Sequence, residues 1–87
     1  MKHAIPAALE SLSPLLSALR QQPALQERRL GVFYLRSQAF LHFHEDATGL
    51  FADTKFNEGS FERSPVNTPG EQAALMLMVQ RTLLALA

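Results

Sequence analysis

The stretch Phe40-Leu41-His42-Phe43-His44-Glu45-Asp46 decides how this chain is read. Across residues 39–45 the side chains alternate: Ala39, Leu41, Phe43 and Glu45 point one way, Phe40, His42 and His44 the other. A period of two with aromatic residues marks a strand. Residues 50–56 alternate as well, and Asp46-Ala47-Thr48-Gly49 separates the two runs. Asp at the start and Gly at the end suit a four-residue loop on a type I turn, with the glycine in the left-handed position. That loop pairs Glu45 with Leu50. It therefore predicts Phe43 opposite Ala52, Leu41 opposite Thr54, His44 opposite Phe51, His42 opposite Asp53 and Phe40 opposite Lys55. Slipping the register by one would set Asp53 and Lys55 beside Leu41 and Phe43, mixing charge into an apolar face at high cost.

Outward from this hairpin, Asn57-Glu58-Gly59-Ser60 supplies a turn that closes Phe56 onto Phe61, so that Lys55 faces Glu62 and Asp53 faces Ser64. Pro65 cannot donate to a ladder, which makes residues 61–66 an edge strand. On the other side, residues 30–36 read as a strand joined to the histidine strand by a tight turn at Ser37-Gln38. The expectation is a four-stranded antiparallel meander of residues 30–36, 39–45, 50–56 and 61–66. Its core face carries Val32, Tyr34, Leu41, Phe43, Leu50, Ala52, Phe56 and Phe61. Its second face mixes Phe33, Leu35, Phe40, Phe51 and Val66 with His42, His44, Asp53, Lys55, Glu62 and Ser64.

Before the strands, Ile5, Ala8, Leu9, Leu12, Leu15, Leu16 and Leu19 recur at helical spacing and predict one apolar stripe over residues 5–20. Pro14 removes a backbone donor inside that stretch. A single helix bent at Pro14 is expected, with Ser13 able to cap a fresh start. Residues 24–29 read as a polar link of about one helical turn. After the strands, Thr68-Pro69-Gly70-Glu71 is a capping box with proline in the first helical position, so a helix runs over residues 69–86. Within residues 73–87 only Gln80, Arg81 and Thr82 are polar, so this helix lacks the solvated side expected of a helix lying on one sheet face. Either the first helix and the sheet enclose it, or its spare face, with Met76, Met78 and Leu83, meets a second copy, a twofold homodimer being the commonest oligomer. Helix, four strands, helix make a two-layer α+β fold in a single domain spanning residues 1–87. The arrangement is similar, at the level of fold alone, to frataxin-like domains.

Composition narrows the function. The chain has 87 residues, 47% of them apolar and 18% charged, against about 25% charged in average domains. A small chain short of charge is expected to have part of its surface covered by a partner. Eight acidic and eight basic residues cancel, which leaves too little cationic surface for phosphate-driven nucleic-acid binding. No apolar run approaches the ~20 residues of a membrane span, and Pro6 and Glu10 interrupt any signal-peptide core. The chain has no cysteine, which fits a reducing compartment. A cytoplasmic protein is the expectation.

The segments Ala39-Phe-Leu-His-Phe-His-Glu-Asp46, Gly49-Leu-Phe-Ala-Asp53, Phe61-Glu-Arg63 with Pro65-Val66, Thr68 and Glu71-Gln72 resemble a group of small bacterial proteins of unknown function. The resemblance covers about residues 31–80 and implies a bacterial cytoplasmic single-domain protein. It brings no activity, cofactor or catalytic residue.

Three arrangements could carry chemistry. His42 and His44 stand two apart on one strand, so both rings project from one face. With Asp53 across the pair they offer three ligands to zinc or another divalent metal, enough for an open site; alternatively both are surface histidines with His42 paired to Asp53. His42, Asp53 and Ser64 form a row across three strands, but a hydrolytic triad needs histidine in the middle, and here Asp53 occupies it. Glu45-Asp46 lacks the oxygen count of a calcium loop. With no Gly-rich oxyanion or phosphate loop either, the chain is expected to be non-catalytic. The mixed face, with Phe33, Phe40 and Phe51 beside the histidines, is expected to be covered by a partner protein, a second copy or a small ligand, or by residues 20–30. Taken with the apolar last helix, this predicts an interaction module, with a small-ligand or metal site at His42, His44 and Asp53 as the alternative.

Overall fold

The computed structural model describes residues 2–3, 6–57 and 59–86, with residues 2, 3, 6 and 7 described through their backbone alone. Ile5 and Glu58, expected in the first helix and in the last hairpin turn, lie outside the described residues. Along the chain come β1 (Lys2–His3), α1 (Pro6–Leu9), a 3-10 turn (Glu10–Leu12), α2 (Ser13–Arg20), β2 (Leu25–Arg29), β3 (Val32–Leu35), β4 (Gln38–Asp46), β5 (Gly49–Asn57), β6 (Ser60–Pro65) and α3 (Pro69–Leu86). The Cα radius of gyration is 11.9 Å, against about 12 Å for a chain of this length packed as one body. No helix among the described residues is long and apolar enough to cross a membrane.

Strands β2 to β6 form an antiparallel meander in sequence order, and β1 pairs with β4. The sheet therefore gains a strand that the polar link was not expected to supply. Residues 25–29, Leu-Gln-Glu-Arg-Arg, lack apolar alternation, yet the strand is held from both sides. Leu25 is buried in the core, and the Glu27 carboxylate accepts from the Arg20 side chain on α2 and, at 2.9 Å, from the Gly31 amide. β1 fits beside β4 because β3 reaches only as far as His42, leaving His44 and Glu45 to pair with His3 and Lys2.

The central hairpin has the predicted register from Leu41 opposite Thr54 through His42 opposite Asp53, Phe43 opposite Ala52 and His44 opposite Phe51 to Glu45 opposite Leu50. The predicted pair of Phe40 with Lys55 does not form, because the ladder ends at Leu41, where each strand carries an extra residue. Gly49 is required at its turn. With φ at 136°, a Cβ there would also stand 2.5 Å from Oδ1 of Asn67, whose amide clamps both backbone groups of Leu50.

The outer strands are each shifted by one residue relative to expectation. The β3–β4 turn is Arg36-Ser37 rather than Ser37-Gln38, and both turn residues have positive φ, 53° and 76°. Tyr34 pairs with Ala39, but Phe33 pairs with Leu41, so Phe40 is an extra residue in β4. A bulge of this kind turns every later side chain of the partner to the opposite face. Phe33 enters the core at 1% exposure, with Phe40 and Leu41 buried side by side, while Val32 pairs with His42 on the reverse face. At the far edge, Asn57 pairs with Ser60 but Thr54 with Glu62, so β5 also carries one extra residue. Here Asp53 meets Arg63 instead of Ser64, Lys55 loses Glu62 as its partner, Phe61 leaves the core for 41% exposure, and Val66 becomes fully buried.

Both helical segments lie on one face of the sheet and share a single core. Leu12, Leu15, Leu16 and Leu19 from the N-terminal segment meet Phe33, Leu41, Phe43, Ala52 and Val66 from the sheet, and Leu75 and Val79 from α3. The expected single bent helix is in fact α1 and α2 separated by the 3-10 turn, because Pro14 falls in the first turn of α2, where its missing amide costs nothing. The start of α3 is as predicted: Glu71 accepts from the Thr68 amide and the Thr68 hydroxyl accepts from the Glu71 amide, at 3.2 and 3.1 Å. Gln72 adds a tie to the Val66 and Ser11 carbonyls.

Candidate functional site

The sheet face away from the helices holds the chemistry-bearing residues. Alternation along β4 sets His42 and His44 side by side, with ring centroids 4.7 Å apart, edge to face. β5 brings Asp53 beneath them. His44 Nε2 lies 3.0 Å from Asp53 Oδ2, and His42 stands directly opposite Asp53 in the ladder. His42 packs its ring against Phe61 at 5.0 Å. The nitrogen and oxygen atoms that His42, His44 and Asp53 could offer a metal all lie within 4.8 Å of one another.

Arg63 completes the cluster, and sequence reasoning missed it. Its Nε and Nη2 donate to Oδ1 and Oδ2 of Asp53 at 2.8 and 2.9 Å, a fork on a carboxylate only 8% exposed. Without the extra residue in β5, Ser64 would occupy this place, and no local signal in the sequence reports such a bulge. The Arg63 hydrogen bonds hold the Asp53 carboxyl below its ordinary range. Burial opposes this, and the fields of His44 and His42 add to the lowering. Asp53 is therefore an ionised acceptor whose two oxygens are already engaged, with Oδ2 shared between Arg63 and His44.

Cations also cover the aromatic rings of this face. Arg28 stands 4.5 Å from the Tyr34 ring centroid, Lys55 5.5 Å from Phe61 and Arg63 6.0 Å from Phe51. Each pairing spreads a charge over apolar area, so the face is solvated by its own side chains. The residues expected at an interface are dispersed accordingly. Phe33 and Phe40 are core residues at 1% and 3% exposure rather than part of an open face. Phe51 is half-buried on the His face, and Met76 and Leu83 pack half-buried against the core. Met78 is exposed on α3.

That outer side of α3 is the second feature. Leu77, Met78, Leu84 and Leu86 are 49, 46, 75 and 44% exposed. Beside them, a groove of about 700 Å³ runs between α2 and α3, floored by Pro14, Leu15, Ala18, Ala73, Met76 and Leu77, and among the described residues no charged side chain lines it. The α3 stripe follows from composition, since residues 73–87 contain one charge, Arg81.

Comparison with protein-family models, with curated proteins and with solved structures gives no match to this chain, so no enzyme family or catalytic relative stands behind either feature.

Proposed function

We propose that this chain is a small non-catalytic interaction module that self-associates as a twofold homodimer through the outer side of α3. The observation that carries this reading is the exposure of Leu77, Met78, Leu84 and Leu86 on a helix with a single charge after Glu71. A monomer would leave that stripe in water at about 25 cal/mol per Å² of apolar surface. Leu77 and Leu84, two helical turns apart, form an apolar ridge at the edge of the α2/α3 groove, so a twofold axis can seat each ridge in the other copy's groove. The cation-covered His face offers no comparable area. The resemblance to small bacterial proteins and the lack of cysteine support a bacterial cytoplasmic setting.

Sedimentation velocity tests the reading. The parent should sediment as a dimer, and Leu77→Lys with Leu84→Lys should weaken association at least tenfold while leaving the circular dichroism spectrum unchanged. A parent that stays monomeric at high micromolar concentration, or a double variant that dimerises as well as the parent, would end it.

A second reading is favoured by the clustering of His42, His44 and Asp53: a divalent-metal or small-ligand site. Tetrahedral zinc with bonds of 2.0–2.1 Å needs ligand atoms about 3.3 Å apart, so the cluster must contract, and Arg63 must release Asp53. Removing a cation from beside the metal position should therefore strengthen binding. On this reading Arg63→Ala binds zinc more tightly than the parent in calorimetric titration, and His44→Ala in that background abolishes binding. No gain on removing Arg63 would refute it.

A further inference from the structure

The two bulges that re-aim the outer strands have a joint consequence at one end of the sheet. The β4–β5 ladder ends at Leu41 opposite Thr54, although β4 continues back to Gln38 along β3 and β5 continues forward to Asn57 along β6. The extra residues, Phe40 in β4 and one at Lys55–Phe56 in β5, stand where the next rung, Phe40 opposite Lys55, would form. The sheet thus splits into two hairpins, β3–β4 and β5–β6, that diverge from each other. A cleft of about 590 Å³ opens between them, within the range of about 300–1,000 Å³ typical of small-molecule sites.

Its walls are unlike the α2/α3 groove. The last turns of α3 close one side with Thr82 and Leu86, and Leu35, Phe40 and Phe56 supply an apolar lining. Gln38 and Asn57 stand at the walls with strand backbone that has no partner across the split. Arg36 borders the cleft from the β3–β4 turn, in a left-handed conformation that a non-glycine residue adopts at a cost. One guanidinium nitrogen donates to the Leu86 carbonyl at 3.0 Å, which anchors the side chain at the rim of the cleft. Lys55 adds positive potential, its ammonium resting over Phe61. No acidic side chain is among the described residues lining the cleft.

We propose that this cleft binds a small amphipathic carboxylate, with the acid group on Arg36 and an aliphatic body against Phe40, Phe56 and Leu86. Arg36 and Lys55 at the rim favour an anion, and the bidentate fit of guanidinium to carboxylate favours a planar one. The apolar lining selects the tail. This site is separate from the His cluster and shares with the α3 stripe only Leu86, at the end of the helix.

The probe is decanoate, followed on the full chain by amide chemical shifts and calorimetry, with decanol as the uncharged control. Saturable binding is expected, with shifts centred on residues 36–40 and 55–57, and decanol at least tenfold weaker. Arg36→Gln should weaken decanoate about tenfold, the loss of one charge-assisted contact of about 1.4 kcal/mol. Thr82→Trp should fill the cleft and abolish binding. Should that variant fold poorly, Gln38→Glu places a like charge at an exposed wall position and should weaken decanoate without weakening decanol. Ser17→Lys, on the exposed side of α2 and outside both cavities, should bind as the parent does. Absence of saturable binding, equal affinity for decanol, or shifts centred on α2 and α3 would overturn the assignment.

Discussion

Phe33→Ala is expected to destabilise the protein by about 3–5 kcal/mol, the usual cost of emptying a buried phenylalanine site. Val32→Ala beside it should cost about 1 kcal/mol. Chains of this length are stable by about 4–13 kcal/mol, so the first substitution removes a large part of the total. The contrast follows from the bulge at Phe40. With it, Phe33 stands opposite Leu41 in the core and Val32 stands over His42 on the outer face. A regular hairpin would reverse the two. Urea unfolding followed by circular dichroism measures both, and a larger loss for Val32→Ala than for Phe33→Ala would mean that β3 pairs without the bulge.

The second large effect concerns the Asp53 cluster and its dependence on pH. The Asp53 carboxyl titrates below its ordinary range because Arg63 donates two hydrogen bonds to it, with His44 and His42 adding their fields against the cost of burial. A carboxyl whose native pKa lies below its unfolded value of about 3.9 contributes stability that is fully present above that value. The contribution is lost as pH falls through the lowered native value. Asp53→Asn should therefore cost about 1.5–3 kcal/mol at neutral pH, the range for hydrogen bonds to a charged group. It should also flatten the acid limb of the stability profile below about pH 4. The limb should not vanish, because Glu27 is lowered as well, chiefly by the Arg20 hydrogen bond. Urea midpoints across the acid range decide it. An acid limb in Asp53→Asn as steep as in the parent would show that Asp53 contributes no pH-linked stability.

Both effects hinge on features of different legibility. Alternation over residues 39–45 and 50–56, with Asp46 and Gly49 between, was enough to set five of the six predicted pairs of the central hairpin, because a period of two and a short turn leave one register that keeps charge out of the core. The sixth, Phe40 with Lys55, is lost where the two bulges fall. Thr68, Pro69 and Glu71 were enough to start α3, because a capping box is a local device. The co-facial placement of His42, His44 and Asp53 came with that register. Arg63 did not, and neither did the burial of Phe33, Phe40 and Val66.

What the sequence alone determined is thus the hairpin, the capped last helix and an apolar excess on that helix. Each rests on contacts between residues close in the chain or locked by a single turn. The tertiary structure decided the rest. β2 has no apolar pattern of its own and becomes a strand because Leu25 reaches the core and Arg20 holds Glu27. The bulges at Phe40 and at Lys55–Phe56 form because the packed helices reward burial of Phe33 and Val66 over burial of Tyr34 and Phe61. That preference exists only once both helices lie on one face of the sheet, and a one-residue shift then reverses an entire outer strand.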